Sequence, residues 1–195
     1  ILIDLSHLIA AYNGTAEYAL SLLHELHPLL VEEFDVCVLV HPVVEKYFGL
    51  SNLSLRILRT DSVIHARFDL AFVPQQVFSP FHLQRLNRLA VKWVINLQDV
   101  IALRCGYLRT ADADFCLRFA AKHADGILSV TSSSLEDLRS FLGSDSFNGN
   151  GMSTAILHAY PEPANEGPKE IKGVPEGDFI FLVGNHYVHK AVSEA

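Results

Sequence analysis

Short apolar runs alternate along this chain with longer stretches in which apolar residues return every three or four positions. Ile1–Leu5 is the first run and reads as a strand. Gly14–Leu30 follows, with Tyr18, Leu22, Leu26 and Leu29 at helical spacing and Pro28 placed to close or kink the helix. Phe34–Val40 reads as a strand buried on both faces, and Pro42–Phe48 as a short helix opened by proline. Ser54–Leu58 and Asp69–Val73 are further strands, the second stopped by Pro74. Pro80–Ala90 and Ala111–His123 read as helices, and Lys92–Leu97 and Gly126–Val130 as strands. Ser133-Ser-Leu-Glu136 has the capping-box pattern, with Ser133 as cap, for a helix that ends near Gly143. Ser144–Gly151 is a polar loop, and Ser153–His158 is the next strand.

Strand and helix in regular succession predict an α/β fold: a Rossmann-like, doubly wound, mainly parallel sheet with helices on both faces. Ligands of such sheets bind at the carboxyl ends of the strands. The segments of interest are therefore Ser6–Thr15, His41, Pro74–Phe78, Gln98–Tyr107, Thr131–Ser134 and His158–Pro161. Pro161–Gly177 contains four prolines and no periodicity, which marks a linker. Asp178–Gly184 and the residues after it then read as a new strand, a glycine turn and a helix start. The expected organisation is one domain over 1–160, a linker over 161–177, and over 178–195 the opening of a second domain that the sequence does not complete.

With 195 residues, half of them hydrophobic, the chain can bury a substantial core. A formal net charge of −7 gives no general electrostatic reason to bind nucleic acid. Cys37, Cys105 and Cys116 are odd in number and widely spaced, so they suggest neither a disulfide framework nor a metal cluster. No apolar run is long enough to span a bilayer, and the first residues read as a strand rather than a signal peptide. The expected location is cytoplasmic, with peripheral membrane contact left to regions outside this sequence.

Asn13-Gly14-Thr15 opens the first helix. A glycine at a helix N-terminus lets backbone N–H groups approach an anionic ligand, but Asn13 as a cap and Gly14 as a relaxed turn explain the same residues. Neither GxGxxG nor GxxxxGK[ST] occurs. Asp99, at the end of the Trp93–Leu97 run, fits a proton acceptor and equally a turn former. Thr131–Ser134 supplies hydroxyls for capping or ligand contact, without the GxSxG of a nucleophile elbow. His24/His27 and His186/His189 have i, i+3 spacing but lack an HExxH or a companion carboxylate pattern, and they read as ordinary surface or satisfied histidines. No metal site is expected.

In their order, these segments resemble the N-terminal half of a two-domain GT-B glycosyltransferase of the group-1, or family-4, type. Asn13-Gly14-Thr15-Ala16-Glu17-Tyr18 loosely matches the family's "Gly-Ile-Gly-Arg-Tyr" loop. Asn96-Leu97-Gln98-Asp99-Val100 stands where the family has "Thr-His-Asp-Leu". Ala124-Asp125-Gly-Ile-Leu-Ser-Val130-Thr131 through Ser134-Leu-Glu-Asp137-Leu138 follows the family's "Ala-Asp-x-Ile-Ile-x-Val-Ser-x-x-Ser-x-x-Asp-Leu" closely. Phe179-Ile-Phe-Leu-Val-Gly184 with Lys190 matches the opening of its donor domain.

The resemblance implies transfer of a sugar from a nucleotide-sugar co-substrate to a saccharide or lipid-linked acceptor, with no further cofactor and no metal. It implies Gln98 and Asp99 at the transfer point, Gly14, Thr15, Gly184 and Lys190 on the donor, and Asn13 and Ser132 on the acceptor side. Two departures stand out. Ala16 replaces the loop's second glycine, and Gln98 replaces a histidine, so hydrogen bonding is retained there but proton transfer is not. This fragment is not expected to be active alone. The alternatives are a non-catalytic domain of the same fold and a sugar-nucleotide epimerase of the same architecture.

Overall fold

The computed structural model describes residues 1–147 and 151–156, with the side chain of residue 144 excepted. Among these residues seven strands form one parallel sheet: β1 (Leu2–Asp4), β2 (Cys37–Val40), β3 (Arg56–Arg59), β4 (Phe68–Val73), β5 (Ala90–Asn96), β6 (Gly126–Ser129) and β7 (Met152–Ala155). Their spatial order is β3-β2-β1-β4-β5-β6-β7. The chain builds outward from β1 to one edge, returns to the centre at β4, and builds outward to the other edge. The order thus reverses between β1 and β4, the point at which a doubly wound sheet opens a crevice at its carboxyl edge.

Among the described residues six α-helices accompany the sheet: α1 (Gly14–Leu30), α2 (Pro42–Tyr47), α3 (Pro80–Leu89), α4 (Ile101–Arg104), α5 (Ala111–His123) and α6 (Ser132–Leu142). Side-chain alternation along the strands divides the core in two. Ile3, Val38 and Val40 pack with Ala16, Ala19 and Leu23 of α1 and Val44 of α2. Leu2, Cys37, Leu39, Ala71, Val73 and Ile95 pack instead with Leu83 and Leu86 of α3, Leu117 of α5 and Leu138 of α6. Helices therefore cover both faces, and strands buried on both sides read as continuous apolar runs.

α1 and α5 begin and end where the periodicity places them. Pro28 lies inside α1, which continues to Leu30. A proline this near the carboxyl end gives up one backbone bond of a turn that is about to stop. β2 is shorter than the Phe34–Val40 run: Phe34 is exposed, and Asp35 bonds to Arg56 at the sheet edge. The strand expected at Ser54–Leu58 runs from Arg56 to Arg59, in register with β2. The short helix α4 lies in a segment whose sequence reads only as a loop.

The helix after β6 starts earlier than the capping-box reading places it. Thr131, not Ser133, is the cap: its Oγ1 accepts from Ser134 N at 3.0 Å, which puts Ser133 in the first turn, exposed. Glu136 consequently falls outside the box position. The helix ends at Gly143, whose φ of +87° lies where glycine is favoured. Cys37 and Cys116 are buried, and all three cysteines are free. Among the described residues no helix is long and apolar enough to cross a membrane. Gly184, Lys190, His186, His189 and the expected second domain lie outside the described residues.

Candidate functional site at the strand-order reversal

β1 ends in Asp4, a carboxylate in an otherwise apolar central strand and fully buried. An unpaired charge there would be severely destabilising, so the surroundings must satisfy it. Ser6, two residues on, donates to Asp4 Oδ1 from its backbone N at 2.9 Å and from its hydroxyl at 2.5 Å. His82, in the first turn of α3, places Nε2 2.8 Å from Asp4 Oδ2. Arg85, one turn further along α3, donates from Nη2 to the Ser6 hydroxyl. His7 completes the group, its ring 4.9 Å from that of His82. The sheet topology explains why these residues meet: α3 follows β4, and β4 is the strand paired with β1.

The electrostatics follow from the packing. Burial pushes the Asp4 carboxyl upward, but the His82 hydrogen bond, the charges of His82 and His7 and the Ser6 hydrogen bond outweigh it. Asp4 is thereby held well below the usual carboxylate range and is ionised. An ionised carboxylate only accepts, so His82 Nε2 carries the proton between them. Burial pushes His7 down to about 3, with His82 and Arg85 lowering it further against the pull of Asp4. His7 is thus neutral at physiological pH. Both its ring nitrogens are buried and have no hydrogen-bond partner among the described residues.

Chemically, this is an aspartate-oriented imidazole beside a neutral histidine at the mouth of the reversal. One donor atom from each of Asp4, His7 and His82 lies within 4.8 Å of the others, a spacing a metal ion can use. The proton that His82 Nε2 donates to Asp4 Oδ2 keeps that nitrogen from binding an ion, and Arg85 adds a cation through Ser6. As it stands the arrangement is a hydrogen-bonded cluster, with His7 its unbonded member.

Of the residues nominated from the sequence, the described ones, Asn13, Gly14, Thr15, Gln98, Asp99 and Ser132, lie along the same carboxyl edge, in other connections. Asn13 caps α1, its Oδ1 accepting from Ala16 N at 2.9 Å. Gly14 is exposed and would meet nothing within 4 Å of an added Cβ, so the helix N-terminus is open to approach. Thr15 is half-buried beside it. Gln98 and Asp99, half-buried, follow β5. Asp99 Oδ1 accepts from Ile101 N at 2.8 Å, and the Asp99 carbonyl accepts from Gln76 Nε2 at 2.6 Å. One carboxylate oxygen thus shapes the start of α4. Ser132 is exposed in the first turn of α6. Asp125 has a structural role, since its Oδ2 accepts from Trp93 N at 3.0 Å and ties the start of β6 to β5.

The sequence reading missed Asp4, His7, His82 and Arg85. A charged residue inside the apolar run Ile1–Leu5 was the available signal, since burying it requires a partner. Compared with protein-family models, curated proteins and solved structures, the chain matches none.

Proposed function

We propose that this chain carries the acceptor-side domain of a nucleotide-sugar-dependent glycosyltransferase of the GT-B architecture. The observation that carries the reading is the parallel sheet with its order reversal, whose carboxyl edge bears the β1–α1, β5–α4 and β6–α6 connections together. Each holds residues that the family motifs nominate. The open N-terminus of the 17-residue helix α1 suits a diphosphate, because its free N–H groups and the helix dipole favour negative charge. In this reading Gly14 and Thr15 face the donor, Asn13 and Ser132 the acceptor, and Gln98 and Asp99 the transferred sugar. Gln98 positions by hydrogen bonding, and Asp99 is the group of that pair able to take a proton.

The test is calorimetric titration of the full-length protein with a panel of nucleoside diphosphate sugars. Saturable binding of at least one is the expected result, and silence across the panel overturns the proposal. A second reading, a non-catalytic binding domain, draws support from Gln98 and from the engagement of Asp99 in the α4 turn. Sugar transfer by the full-length protein, at a turnover unchanged by Gln98→His, counts against it.

A further inference from the structure

The nine arginines of this acidic chain are not distributed alike. Arg56, Arg59, Arg104, Arg109 and Arg118 each pair with a carboxylate. Arg139 donates to Ser153 Oγ and lies over the Phe147 ring. The remaining three, Arg67, Arg85 and Arg88, have no carboxylate partner among the described residues. All three line one cavity of about 310 Å³. Thr60, Ser62 and His65 add polar groups to its wall, and among the described residues no carboxylate lines it. Where acidic residues outnumber basic ones by 22 to 15, three unpaired guanidiniums in one cavity are a local reversal of charge.

The β3–β4 connection, residues 60–67, makes one wall. It crosses to the centre of the sheet without a helix, and Ile64 packs against the same core as α3. The second half of α3 makes the other. Arg67 directly precedes β4, and Arg88 lies two residues before β5, so these two stand toward the amino edge, while Thr60, just after β3, and Arg85, bonded to Ser6, stand toward the carboxyl edge. A favourable position in the last turn of α3 accounts for Arg88 by itself, but not for Arg67 or Arg85. Arg85 is held in place from behind, because Ser6, bonded to the buried Asp4, receives its Nη2. Its Nε is buried without a partner among the described residues. A guanidinium fixed in this way presents its remaining donors at little further entropic cost.

We propose that this cavity is a binding site for a phosphate group, carried by a small monoester or free in solution. Planar guanidiniums suit tetrahedral oxyanions through paired N–H donors, and the volume is at the small end for ligand pockets, which fits a monosaccharide phosphate rather than a nucleotide. The site is independent of the glycosyltransferase reading.

The test titrates the full-length protein with glucose 6-phosphate, inorganic phosphate and glucose, and repeats it on the double variant Arg67→Ala, Arg88→Ala. Both residues are exposed, so the variant should fold, and its circular dichroism and melting transition check that it does. The expected result is saturable binding of the ester, none of glucose, and affinity at least about tenfold weaker in the variant and at high salt. Inorganic phosphate binding as tightly as the ester supports the site and identifies free phosphate as its source. Failure of both anions to bind, or equal binding by the variant, overturns the proposal. Nucleotide-sugar binding should be the same in wild type and variant, which separates this outcome from that of the transferase proposal. If the double variant does not fold, Arg88→Gln alone carries the comparison.

Discussion

Helix α3 serves two polar regions that handle charge in opposite ways. Its first turn delivers His82 to the buried Asp4, where every oxygen of the carboxylate is engaged and one neighbouring histidine is kept neutral. Its second half presents Arg85 and Arg88 to an open cavity that, among the described residues, no carboxylate lines. Arg85 belongs to both, through Ser6. The first region must be satisfied by the fold, because its groups are out of water. The second can remain unsatisfied, because solvent or a ligand completes it. Substitutions in the first should therefore register mainly as stability, and in the second mainly as binding.

The largest effect should come from Asp4→Asn. It preserves volume but removes the ionised acceptor of two Ser6 donors and the His82 proton. Leaving buried donors without their charged acceptor costs about 1.5–3 kcal/mol, which urea denaturation followed by circular dichroism would measure. A loss below about 1 kcal/mol would mean that the cluster is not integral to the fold.

The pH dependence sharpens the same region. His7 is lowered to about 3 in the folded chain, against roughly 6.5 for a free histidine. Between these values the unfolded chain binds a proton at this position and the folded chain does not. Stability from His7 is therefore present above about pH 6.5 and is lost as pH falls toward 3. Asp4, also depressed, adds a loss that begins as pH falls through about 4. Denaturation free energy measured across pH 7 to 4.5 should slope more steeply in wild type than in His7→Phe. Parallel slopes would show that His7 protonates freely in the native state.

How much of this was legible in the sequence depends on the range of the interactions. The bounds of α1 and α5 follow from local periodicity and from caps within three residues, and both were readable. The alternating strand–helix order was enough for a doubly wound parallel sheet. β2 was over-extended because Phe34 and Val36 look apolar, although Phe34 is exposed at the edge. Asp99 was readable only as a choice between two roles, and its bond to Ile101 N makes the turn role concrete. The Asp4–His82 pair could not be read, since 78 residues separate its members and only the pairing of β1 with β4 joins them. The arginine cavity was hidden for the same reason, assembled from a crossover and a helix whose charges look unremarkable in order.

A smaller effect tests local capping against these long-range contacts. Thr131→Ala removes the side-chain acceptor for Ser134 N and should cost about 1 kcal/mol. Ser133→Ala, in the exposed first turn, should change stability by less than about 0.5 kcal/mol. Equal losses from the two, measured in the same urea titrations, would return the cap to the box position.

The smallest change should be Arg88→Ala, and its smallness is what gives it value. Arg88 is exposed and has no ion-pair partner among the described residues, so the folded state loses no buried contact with it. The unpaired cations around the cavity repel one another, which further reduces what the fold gains from any of them. Denaturation free energy should stay within about 0.5 kcal/mol of wild type. A loss of about 2 kcal/mol, well outside the range of ordinary surface substitutions, would assign Arg88 to the structure. It would place Arg88 beside Asp4 and His82, erasing the distinction between the two ends of α3. A neutral result leaves its charge without a structural reason, which is the condition under which the binding measurement on the cavity is informative.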